Sequence, residues 1–210
     1  MAVYSKQEIT LFKKLNTPAK IQDFLNSLKY NFNVYECKSP RKVLEQGNAY
    51  CMEGALLAAA ILQFHGAKPL LLDLRAKSPD YDHVYALFKI GGFWGGISKT
   101  NHGVLRYRDP IYKTLREFVL SCFHEYFLDN GKKTLRDYSK PFDLSKFEKK
   151  NWQTDSLDVW YLPDALDAVP HISLLTPAQI KNLRLADKLE IELGKLVEWK
   201  EVSKQKKGRA

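Results

Sequence analysis

The segment 49–65, AYCMEGALLAAAILQFH, constrains this chain more than any other stretch, because it reads as a helix that is apolar on nearly every face. A surface helix keeps a polar stripe for water; this one has none, so other elements must enclose it. Asn48 is its expected N-cap and Gly66 its expected stop. Gly54, Ala55, Ala58, Ala59 and Ala60 keep its surface low, so neighbours can approach closely.

The flanking sequence supplies the cover. Residues 5–15 carry Ile9, Phe12 and Leu15 at helical spacing, and Thr17-Pro18 and Ser39-Pro40 each place a capping hydroxyl before a helix-starting proline. Downstream, 69–75, 83–90 and 93–98 read as strands, the last two joined by Gly91-Gly92 as a two-residue hairpin. A fourth strand is expected over 104–108 and an amphipathic helix over 111–128. Residues 131–171, punctuated by Pro141, Pro163 and Pro170, read as irregular wrapping, and Thr176-Pro177 opens a last helix running to about Trp199. The expectation is an α+β protein with a single domain over 1–200, its core at about 40–130, a wrapping segment and helix at 131–200, and a basic tail at 201–210.

Composition narrows the function classes. Hydrophobic residues make up 45% of the 210, enough for a core without staples. No apolar run approaches the roughly 20 residues a bilayer crossing needs. The first ten residues lack an apolar signal core, and Cys37, Cys51 and Cys122 form neither a disulfide framework nor a metal-ligand spacing. A cytoplasmic protein without membrane contact, cofactor or metal is expected. The net charge of +9 raises nucleic-acid binding, but six basic and two acidic residues between Lys195 and Arg209 hold nearly half of it. A solvated tail is the expected reading, and a nucleic-acid partner is not.

Cys51 carries the chemical interest. With Asn48 as cap it falls at N3, where free N–H groups and the helix dipole should lower the thiol pKa and stabilise an oxyanion. His83 opens a predicted strand after the polar turn 78–82, and Cys–His pairing is the usual way to activate a thiol. Pairing the hairpin about Gly91-Gly92 sets His83 against Thr100, with Ser98 diagonal on the same face and Asn101 on the other.

The run GNAYCMEGALLAAAILQFHG followed by DHVYALFKIGGFWGGIS resembles the core of the transglutaminase-like superfamily, over about a quarter of the chain. The resemblance implies a papain-like fold with the cysteine helix packed on an antiparallel sheet that carries the histidine. It also implies thioester chemistry on amide or peptide bonds of a peptide or protein substrate; some members are inactive and serve as binding modules. In that family an acidic residue four positions after the strand tryptophan orients the histidine. Here the tryptophan is Trp94 and that position holds Ser98. Three residues compete for the role: Ser98, with a neutral hydroxyl; Asn101, the preferred one, if the ladder ends before it; and Asp109, beyond the next strand. Gln46 is the candidate oxyanion donor. Asp80, Asp82 and His102 read as turn or loop residues, Cys122 as core, and Trp152, Trp160 and Tyr161 as wrapping aromatics.

Overall fold

The computed structural model describes residues 3–33 and 35–201. Three short helices precede the central one: α1 (Lys6–Lys14), α2 (Pro18–Ser27) and α3 (Pro40–Gln46). Ser5, Thr17 and Ser39 cap them through their hydroxyls, the last two as the Thr-Pro and Ser-Pro pairs predict, and Pro18 and Pro40 stand in the first turn, where no N–H is needed. The parallel pair β1 (Lys29–Tyr30) and β2 (Asn48–Ala49) ties the end of α2 to the approach of the central helix.

That helix, α4, spans Cys51–Phe64, two residues shorter at its start than the sequence predicts. Asn48 is taken by β2, so Tyr50 becomes the N-cap and Cys51 the first helical residue. Every residue from Met52 to Leu62 is buried. Each large side chain in that run contributes roughly 1.5–3 kcal/mol by leaving water. Gly54 has a specific reason: a Cβ there would lie 2.4 Å from Cβ of Lys99.

Seven strands, β3 (Leu70–Ala76), β4 (His83–Ile90), β5 (Phe93–Ile97), β6 (Arg108–Tyr112), β7 (Leu135–Ser139), β8 (Phe142–Asp143) and β9 (His171–Ser173), form one antiparallel sheet. The order is β6-β5-β4-β3-β7-β9, with β8 alongside β3. The β4–β5 register, from Ile90↔Phe93 to Ala86↔Ile97, is the one a Gly91-Gly92 turn dictates, and both glycines have positive φ. Two expectations are corrected. The fourth strand begins at Arg108 rather than Val104, and 98–107 is an irregular connection between β5 and β6. Residues 131–171 are not mere wrapping, since β7 pairs with β3 inside the sheet. Its alternation is masked by Arg136 and Asp137, so composition hid it.

Helix α5 (Leu115–Cys122) packs on the sheet face opposite α4. Val84, Ala86 and Phe88 of β4 join the α4 core, and Tyr85 and Leu87 join the α5 core. After α6 (Tyr161–Asp167), the single last helix expected is two, α7 (Pro177–Lys181) and α8 (Lys188–Gly194). The chain then lies against the loop after β5, where His102 bridges Val197 and Arg106 pairs with Glu198 at 3.2 Å. Among the described residues no helix is long and apolar enough to cross a membrane. All but the first residue of the tail at 201–210 lies outside the described residues.

Candidate active site

The site is built where α4 begins and β4 begins. Cys51 is the partly exposed residue at the mouth of a buried helix, whereas Cys37 and Cys122 are buried. The backbone N–H groups of Val84 and Met52 lie close enough to the thiol to favour its charged form. Val84 follows His83, so the thiol and the imidazole occupy the same open end of β4. His83 leaves the strand on the Tyr85 side and packs edge-on against that ring, with centroids 5.1 Å apart. The sulfur comes from the α4 side and the ring from the α5 side, and no hydrogen bond joins them among the described residues.

The imidazole is fixed by Ser98. His83 Nε2 and Ser98 Oγ are 2.5 Å apart, and Ser98 Oγ donates to the Leu105 carbonyl at 2.9 Å. A hydroxyl has one proton, and a carbonyl only accepts. Ser98 therefore accepts from His83, so the proton is on Nε2 and the lone pair is on Nδ1. That is the tautomer a base acting through Nδ1 requires. Ser98 in turn is held by Gln22 of α2, whose amide donates to the Ser98 carbonyl (2.8 Å) and accepts from its N–H (3.0 Å). Leu105 presents its carbonyl from a left-handed backbone (φ 55), a conformation that costs a side-chain-bearing residue about 1 kcal/mol.

Electrostatics keeps both reactive groups neutral. Burial pushes the Cys51 thiol up to about 11, with the Val84 and Met52 N–H groups opposing and the Asp73 and Glu53 charges adding. The expected depression of this pKa by the helix start is thus overturned by desolvation. Burial, with the Arg108 charge second, lowers His83 to about 3; the Leu105 carbonyl opposes. At neutral pH the resting pair is thiol and imidazole rather than thiolate and imidazolium.

The other sequence candidates lie elsewhere. Both ends of the Asn101 amide are engaged with the Trp199 backbone, at 2.9 Å each, so it is not at the histidine. Asp109 is exposed in β6, and Gln46 is exposed at the end of α3; neither is brought to Cys51. Asp82 accepts from Ala76 N–H and Asp80 from Thr134, His102 contacts the Gly194 carbonyl, and Cys122 and Trp152 are core. Gln22 and Leu105 escape sequence reasoning. The signal for Gln22 was a polar residue beside Ile21 on the buried stripe of α2; Leu105 left none. Asp73, Asp82 and Asp167 bring carboxylate oxygens within 4.8 Å of one another, the one such trio among the described residues. Asp73 Oδ2 is also 3.0 Å from His171 Nε2, and burial, opposed by that hydrogen bond, raises its carboxyl to about 6.

No protein-family model matches this chain, and no curated protein matches it either.

Proposed function

We propose that the protein is a cysteine-dependent acyl-transfer enzyme of transglutaminase-like, papain-like architecture, acting as a hydrolase or acyltransferase on amide or peptide bonds. The observation that carries the reading is that Cys51 opens α4 and His83 opens β4, with Ser98 engaging Nε2 of the imidazole so that Nδ1 is the nitrogen available to take a proton. Cys51 attacks the carbonyl carbon as its proton passes to His83 Nδ1, and the amine leaves with that proton, giving a thioester. Water or a second amine, deprotonated by the same nitrogen, then releases the acyl group. The N–H groups of Met52 and Val84, which favour negative charge on the thiol, are the oxyanion donors in this reading. Because both groups rest neutral, proton transfer accompanies attack instead of preceding it.

A second reading has its own support: Ser98 supplies no charge to stabilise imidazolium, and the pKa directions of Cys51 and His83 both oppose an ion pair. In that reading the fold is kept as a catalytically weak or inactive module that binds a peptide or protein. Incubation with an activated ester followed by intact mass spectrometry separates the two. A single acyl adduct on Cys51, lost in Cys51→Ser and slowed in His83→Ala, is the enzyme result. Absence of adduct, together with partner binding unaffected by Cys51→Ser, is the module result.

A further inference from the structure

A cleft of about 430 Å³, lined by neither Cys51 nor His83, opens between the β3–β4 loop, the approach to β7 and the segment after α7. Five cationic side chains line it: Lys77, Lys132, Lys133, Arg136 and Arg184. No carboxylate lines it among the described residues. Like charges gathered in a concave site repel one another and raise the local potential, so this arrangement costs energy unless an anion fills it.

The internal partners do not neutralise it. Lys133 is buried, and its ammonium lies 3.1 Å from His124 Nδ1 rather than at a carboxylate. The half-buried Arg136 spends its N–H groups on the carbonyls of Leu135 and Lys133. Neither Lys77 nor Lys132 forms a salt bridge among the described residues. Among the described residues Arg184 is the one lining cation with salt bridges, to Asp187 at 3.4 Å and Glu190 at 3.5 Å in an exposed cluster at the rim, and Arg136 feels the more distant charge of Asp137. Asp80 is not in the lining, and its carboxylate accepts from Thr134, which is. The remaining lining is mixed: Pro79, Leu128, Ile180, Leu183 and Leu185 are apolar, and Ser78, Asn130 and Thr134 add neutral polar groups. Cations and apolar side chains lining one cleft, in a volume within the range of small-molecule sites, suit an amphipathic anion.

We propose that this cleft binds a small organic anion, an oxyanion head group held by Lys77, Lys133 and Arg136 with an apolar body against Leu128, Ile180 and Leu183. Titration calorimetry with hexyl phosphate, hexanoate and inorganic phosphate tests it on the full chain. Hexyl phosphate should bind one to one, at least about tenfold tighter than inorganic phosphate because of its buried tail, and more weakly as salt rises. Hexanoate matching hexyl phosphate assigns a carboxylate head, and hexanoate binding more weakly assigns a phosphate. Arg136→Gln and the exposed Lys77→Gln should each weaken binding about tenfold, the worth of one charge-assisted hydrogen bond, and Lys77→Gln should do so with melting temperature unchanged. Leu183→Ala should weaken hexyl phosphate and leave inorganic phosphate alone. Lys68→Gln, outside the cleft, and Cys51→Ser should bind as wild type, which separates this site from the proposed catalysis. Absence of saturable binding, several equivalent sites, or wild-type affinity in both Arg136→Gln and Lys77→Gln would overturn the proposal.

Discussion

Cys51 and Glu53 stand in the same turn of α4, yet their surroundings treat charge in opposite ways. Glu53 is fully buried and surrounded by donors: Asn31 Nδ2 (3.0 Å), the N–H groups of Lys38 (3.0 Å) and Tyr50 (3.1 Å), and the Lys38 ammonium at 3.6 Å. Burial still pushes its carboxyl up and the Lys38 ammonium down, but every lone pair has a partner. Cys51 and His83 have no counter-ion among the described residues, and each is held in its neutral form. The difference shows what a charged pair needs here: saturation by donors and an opposite charge. The Glu53 cluster has both, and the place where an acid would serve the histidine has a serine.

Breaking the saturated side should have the largest effect. Glu53→Ala strands Lys38 in the core, and urea denaturation should report a loss of about 3–5 kcal/mol. A loss below about 1 kcal/mol would mean the network does not hold the helix start. Next comes the neutral side's scaffold. Gln22→Ala leaves the Ser98 N–H and carbonyl without partners, at about 1–3 kcal/mol for each buried group, and should slow Cys51 acylation as well. Stability lost without any change in acylation would sever Ser98 from the site.

Acid should then expose the cost of a neutral histidine. His83 has a folded pKa of about 3 against 6.5 for the free group, so between these values the unfolded chain binds the extra proton. Its contribution to stability is complete above pH 6.5 and is lost as pH falls toward 3, amounting to about 2 kcal/mol between pH 7 and pH 5. The decline should flatten by that amount in His83→Asn; an identical slope would show that the ring is accessible to water and protonates freely. The smallest effect sharpens the comparison directly. Ser98→Asp places a charge beside Nε2 and should raise the alkylation rate of Cys51 at neutral pH about tenfold.

Much of this arrangement was legible in the residues. An all-apolar helix had to be buried, and a Gly-Gly turn fixes the pairing that sets Ser98 diagonal to His83 on one face. What escaped depended on contacts distant in sequence. Asn48 carries a capping side chain, but pairing of β2 with β1 claimed it, which moved Cys51 from the third helical position to the first. Asn101 was engaged by the backbone at Trp199, from the far end of the chain. The thiol pKa depended on how completely neighbours exclude water, and a helix-start rule cannot supply that. The β7 strand was hidden because Arg136 and Asp137 break its apolar alternation.

The central claim is that His83 serves Cys51 as a base, and the pH dependence of iodoacetamide alkylation, resolved by cysteine with mass spectrometry, tests it most directly. Cys51 should react faster than Cys37 and Cys122 at every pH, with a rate that climbs toward about pH 11 and drops in His83→Ala near neutrality. Equal rates for all three cysteines, or a Cys51 rate indifferent to His83→Ala, would contradict it.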